Sequence, residues 1–128
     1  MEIIRAGNFS FELDLTKPLY EQVLQQIRYA VARGEVALGT KLPSVRELAQ
    51  QLRINPNTVM RAYQELDRDH LTETRRGQGT FITSDQDRVK EIRRSLAGEA
   101  LQEFIRSMKE LGIDRQIALS LIEEGDWT

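Results

Sequence analysis

The chain of 128 residues contains no cysteine and a single histidine, His70. Without thiols it can form no disulfide framework, no thiolate zinc site and no thiol nucleophile. One imidazole with no cysteine to join it supplies no metal cluster either. No stretch approaches the ~20 consecutive apolar residues of a membrane span, and the opening MEIIRAGNFSFELDL lacks the long apolar core of a signal peptide. Acidic side chains are plentiful but scattered over helix surfaces, with no paired constellation for acid–base chemistry. Gly77-Gln78-Gly79 is followed by a strand rather than a helix, so it lacks the context of a nucleotide-binding loop. The expectation is a cytoplasmic, non-enzymatic chain with no cofactor, no metal and no membrane partner.

An excess of charge of one sign is missing as well, the net being −2. Its distribution is uneven. Residues 16–84 hold ten Lys/Arg against seven acids, a net of +3, while residues 85–128 hold seven against ten, a net of −3. The middle is mildly basic and the tail acidic. Hydrophobic residues make up 40%, enough for a core. A chain of this length buries only about two-thirds of its unfolded surface, so burial against a partner would add stability.

The periodicity is mostly helical. Phe9, Phe11, Leu13 and Leu15 alternate with polar residues, which reads either as a short strand or as an ordered arm without a sheet partner. Residues 18–33 form a first helix, with Pro18 in its first turn and Gly34 as its stop. Ser44-Val45-Arg46-Glu47 is a capping box that opens a second helix ending near Leu52 or Arg53. Asn55 and Pro56 open a third, running to about Asp69, with Val59, Ala62, Tyr63 and Leu66 as its core face. Two helices so closely spaced form a helix-turn-helix. Leu71–Thr74 and Thr80–Thr83 then read as two strands joined by a loop over residues 75–79. A long helix follows from Asp85 to Leu111, ~40 Å if straight. Gly112 ends it, and Asp114 caps a last helix over 115–124. The fold expected is mainly α with a small β-hairpin: a winged helix-turn-helix followed by a two-helix segment.

At ~100° per residue, Asn57 and Arg61 lie on the side of the third helix opposite its core stripe. They are hydrogen-bonding types suited to adenine and guanine edges. A solvated polar face has the same pattern. Arg46 sits at a helix N-terminus, where free amides attract anions, so Ser44 and Arg46 with Lys41 nearby fit a phosphate clamp or simply a capped surface helix. Arg75 and Arg76 on the hairpin fit a narrow minor groove or a phosphate row, with Gly77 and Gly79 permitting close backbone approach, or else a solvated basic turn. The shared order of the three sites is far more specific than any one of them. The rival reading from another class is a winged-helix protein–protein adaptor.

The runs PLYEQVLQQIRYAVARGEVALGTKLPSVRELAQQL, NPNTVMRAYQEL and TETRRGQGTFI resemble the bacterial GntR transcription-factor family, in register over about residues 17–83. The resemblance implies a winged helix-turn-helix over residues 17–84, after an N-terminal arm over 1–16, that binds double-stranded operator DNA as a homodimer. It carries DNA contacts onto Arg46, Asn55, Asn57, Thr58, Arg61, Arg76, Gly77 and Thr80. One departure is His70, where the family usually has glycine, a position that calls for positive φ. The short tail, 85–128, is similar to that of the YtrA subfamily, which serves dimerisation. Its stripe of Leu96, Ala100, Leu101, Phe104, Ile105, Met108, Leu111, Ile117 and Leu121 is too wide for two helices to cover by themselves. Family tendency favours a repressor reading an inverted repeat. The residues leave open whether a small-molecule effector exists.

Overall fold

Helix α1, Leu19–Ala32, is the spine of the first of two compact units, which runs to Arg93; the second covers Arg94–Thr128. The computed structural model describes residues 2–128. In α1, Val23, Leu24, Ile27, Ala30, Val31 and Ala32 are buried, a face set by helical spacing. Fully burying its valines, leucine and isoleucine stabilises by about 1.5–3 kcal/mol each. Helix α1 packs on α3, Pro56–Arg68, and α3 on α2, Val45–Leu52.

Two hairpins complete this unit. Strands β1, Ile3–Ala6, and β2, Phe9–Glu12, pair antiparallel, with Ala6 opposite Phe9. The alternation over residues 9–15 therefore belongs to a strand only as far as Glu12, and that strand has a sheet partner. Phe9 and Phe11 are buried, while Leu15 is exposed beyond the strand. The free edge of β2 is occupied by glutamine amides of α1. Gln26 exchanges bonds of 2.9 and 2.7 Å with the Glu12 amide and carbonyl, and Gln22 does the same for Asp14 at 2.7 and 2.9 Å. These carboxamides stand in for a third strand at Glu12 and, just past β2, at Asp14.

The second hairpin joins β3, Thr72–Arg75, to β4, Gly79–Ile82. Arg75 and Gly79 are a cross-strand pair, so the turn is shorter than the expected loop over 75–79. A bridge from Lys41 to Phe81 adds a short third row beside β4. Asp67 near the end of α3 holds the base of β3, accepting from the Thr72 hydroxyl and from Thr74 Oγ1 at 2.7 Å.

Helices α1 and α3 end in the same reversal. After α1, Gly34 takes positive φ and the Glu35 amide donates to the Ala30 carbonyl; after α3, His70 does so at φ 59° and Leu71 donates to Leu66. This six-to-one bond is the Schellman motif. Arg53 ends α2 at φ 57°, with Ile54 donating to Ala49. The departure at His70 is thus met by a histidine in the left-handed region.

In the second unit, α4, Gln86–Glu110, continues past Arg94, and Gly112 turns the chain. Asp114 accepts from the Ile117 amide at 3.0 Å to cap α5, Arg115–Glu124. Leu96 is buried in the single chain, and no residue of α5 is.

Candidate nucleic-acid interface

Helix α2 begins with a complete capping box. The Glu47 amide donates to Ser44 Oγ at 3.1 Å, and the Ser44 amide to Glu47 Oε1 at 3.3 Å. Ser44 thus keeps its hydroxyl proton to donate elsewhere. Arg46, in the first turn, is exposed and enters no ion pair among the described residues. The start of α3 is built similarly. Asn55 Oδ1 accepts from the Asn57 amide at 2.8 Å and Pro56 takes the first helical position. Asn55 thus fixes its carboxamide in the cap, with both amide N–H donors left to reach a ligand.

The core face of α3 is Val59, Ala62, Tyr63 and Leu66, all buried. Tyr63 sets the angle between α3 and the entry to α2, its hydroxyl donating to the Pro43 carbonyl at 2.7 Å. Burial raises the Tyr63 phenol well above its ordinary value, and the Glu47 carboxylate adds to the rise. The opposite face carries Asn57, Met60, Arg61, Gln64 and Arg68, every one exposed. Thr58 lies between the faces and is half-buried.

Two side chains on this face depart from a free polar surface. Arg61 stacks its guanidinium 3.9 Å from the centroid of the Tyr20 ring of α1. Met60, an apolar side chain, is 42% exposed beside Asn57. The helical period places Met60 outside the core, and that misplacement is itself the signal a sequence reading passes over.

The two hairpin arginines differ. Arg75 lies 4.2 Å from the Phe81 ring and 3.5 Å from Glu73 Oε2, so it is laid along its own strands. Arg76 stands in the turn beside Gly77, exposed and in no ion pair among the described residues. Gly79 has φ +123°, and a Cβ there would come within 2.7 Å of Lys41 Cε. Its glycine thus serves the passage of the Lys41 side chain across the hairpin. Lys41, Gly79 and Thr80 come together here, the Leu42 amide donating to the Thr80 carbonyl at 2.8 Å.

No group of three or more His, Asp or Glu able to hold a metal occurs among the described residues, and no described helix is long and apolar enough to cross a membrane.

The pattern of the gntR family of bacterial regulatory proteins matches residues 19–82. The chain is 46% identical over 108 residues to the uncharacterized HTH-type transcriptional regulator YhcF of Bacillus subtilis, over 84% of this chain and 89% of the relative. It is 38% identical over 108 residues to the HTH-type transcriptional repressor YtrA of the same organism, over 84% and 83%. Among solved structures, a GntR family transcriptional regulator from Listeria monocytogenes superimposes with a TM-score of 0.81 at 34% identity, over 89% of this chain and all of that one. YtrA from Sulfolobus acidocaldarius, a GntR-family transcription factor, gives 0.55 at 33% identity, over 72% of this chain and 97% of that one.

Proposed function

The chain belongs to the GntR family of bacterial regulatory proteins and its YtrA subfamily, and from that premise we propose a sequence-specific transcriptional repressor that occupies an inverted-repeat operator as a homodimer. It is a regulator and not an enzyme. The observation that carries the reading is the exposed face of α3, where Asn57, Met60 and Arg61 project opposite a fully buried stripe.

In this reading α3 enters the major groove. Arg61 donates both arms to guanine O6 and N7, Asn57 pairs with adenine, and Met60 packs on a thymine methyl. The capped start of α2 holds a phosphate through Ser44, its amides and Arg46, aided by the helix dipole. Arg76 reaches the minor groove, while Lys41, Arg75 and Thr80 line the backbone. The repressor role rests on the name of the B. subtilis relative YtrA.

Dimerisation is assigned to the second unit. Leu101, Leu111, Ile117 and Leu121 are exposed, and Ala100, Phe104, Ile105 and Met108 are at best half-buried. An apolar band of that extent marks an interface. Two-fold symmetry then places two copies of α3 on half-sites about one DNA turn, ~34 Å, or more apart. Selection of bound genomic fragments tests this. Enrichment of an inverted repeat with that spacing is expected. Enrichment of no motif, with the protein instead retained by other proteins, would replace it with the adaptor reading.

A further inference from the structure

Helix α1 carries its apolar stripe one turn past the core. At ~100° per residue Tyr20 lies among Val23, Leu24 and Ile27, which are buried, and it is half-buried where the stripe reaches the surface. The start of α1 is fixed on its other side, where Gln22 Nε2 donates to the Asp14 and Pro18 carbonyls at 2.9 and 3.1 Å. Helix α1 packs on α3. The core and the anchored helix start therefore decide where the Tyr20 ring stands, and Arg61 does not.

On this ring lies the Arg61 guanidinium, 3.9 Å from the centroid. Stacking engages the face of the guanidinium and leaves the N–H donors at its edge available. An ion pair would consume those donors instead. Arg68, on the same side of α3, is held by Glu65 at 2.7 Å, and Arg75, which also lies over a ring, is shared with Glu73 at 3.5 Å. Arg61 enters no ion pair among the described residues. An arginine held by nothing has many rotamers to lose on meeting a base edge. The ring removes part of that loss beforehand, and preorganisation of this kind strengthens binding to the correct partner.

We propose that Tyr20 is a positioning residue for base recognition: its ring fixes the plane of the Arg61 guanidinium, whose edge then addresses guanine O6 and N7. This rests on the base-reading role of Arg61 proposed above. Discrimination at one base pair is thus set in part by a side chain outside the helix-turn-helix, acting through Arg61 and needing no base contact of its own.

The test uses the full chain, the duplex it selects from genomic fragments, and variants of that duplex with one base pair changed at a time. Affinity ratios between duplexes are taken within one protein, so any loss of folded protein cancels. Arg61→Ala identifies the base pair that Arg61 reads, the one whose change no longer matters. At that pair Tyr20→Leu is expected to lower discrimination about 2–5-fold, with the other pairs unaffected. Tyr20→Phe keeps the ring and should keep the discrimination. In an Arg61→Ala background Tyr20→Leu should change no ratio. Unchanged discrimination in Tyr20→Leu, an equal loss in Tyr20→Phe, or a further loss on top of Arg61→Ala would overturn the positioning role and leave Arg61 a base reader. If Arg61→Ala flattens no base pair, the base-reading role fails and the positioning role falls with it.

Discussion

Removing one oxygen atom, by Tyr63→Phe, probes the joint between the two helices of the helix-turn-helix. The Tyr63 hydroxyl donates to the Pro43 carbonyl at 2.7 Å from a buried position. Losing it leaves that carbonyl without its partner, at a cost of about 1–2 kcal/mol at neutral pH. The second consequence is a pH dependence whose sign follows from burial. The folded phenol is held above its ordinary value near 10, first by desolvation and then by the Glu47 carboxylate. Above pH 10 the unfolded chain therefore releases a proton that the folded chain retains. The Tyr63 contribution is complete below that pH and is lost as pH rises toward the folded value. Each pH unit in this window removes about 1.4 kcal/mol. Between pH 10 and 11.5 the wild type should lose about 2 kcal/mol relative to Tyr63→Phe, enough to cancel its advantage. Denaturant titrations of both proteins at matched pH measure this difference, and all other groups cancel in it. A gap between the two proteins that stays constant from pH 8 to 11.5 would refute the buried-phenol argument.

Further substitutions test other links. Gly79→Ala forces a side chain into φ +123° and against Lys41 Cε. It should cost about 1–3 kcal/mol, and because Lys41 can swing aside, adding Lys41→Ala should recover little of it in the same melts. His70→Gly relieves a left-handed residue worth about 1–2 kcal/mol against a smaller loss through the unfolded chain. A rise of a few degrees in Tm is expected, and a fall would mean the His70 side chain makes a contact worth more than the strain. Arg61→Ala should lose ~1–3 kcal/mol of discrimination between operator and random duplex, whereas Arg75→Ala with Arg76→Ala weakens both alike. Competition binding separates these outcomes, and equal loss on both duplexes for Arg61→Ala would remove it as a base reader.

The helical part of the first unit is legible because its signals are local. A capping box, an Asn–Pro start and a 3.6-residue stripe specify α2 and α3 without reference to the rest of the chain. The buried stripe of α3 is the expected one, residue for residue. Where partners are distant in sequence, that legibility ends. Strand β1 reads IIRA, whose residue types do not alternate, Ile3 being apolar yet exposed, and it forms because β2 supplies its ladder. The β2 edge at Glu12 is closed by Gln26 of α1, fourteen residues on, which no strand rule anticipates. Arg53 takes a left-handed cap with no glycine to announce it. At the candidate interface, residue types point to Arg61, Arg75 and Arg76 equally. Tertiary contacts separate them, stacking Arg61 on Tyr20 and Arg75 on Phe81 and leaving Arg76 at the tip.

The most direct measurement of the central claim is the affinity of the full chain for its selected duplex as a function of salt. A protein holding phosphates through the α2 N-terminus and the hairpin releases counterions on binding. The logarithm of affinity should then fall linearly with the logarithm of salt, with a slope of about −0.9 per phosphate contact. Arg46→Ala, which removes a phosphate contact at the start of α2, should reduce the slope by about one unit for each copy of the chain bound. Binding of no duplex above background at low salt would contradict the account.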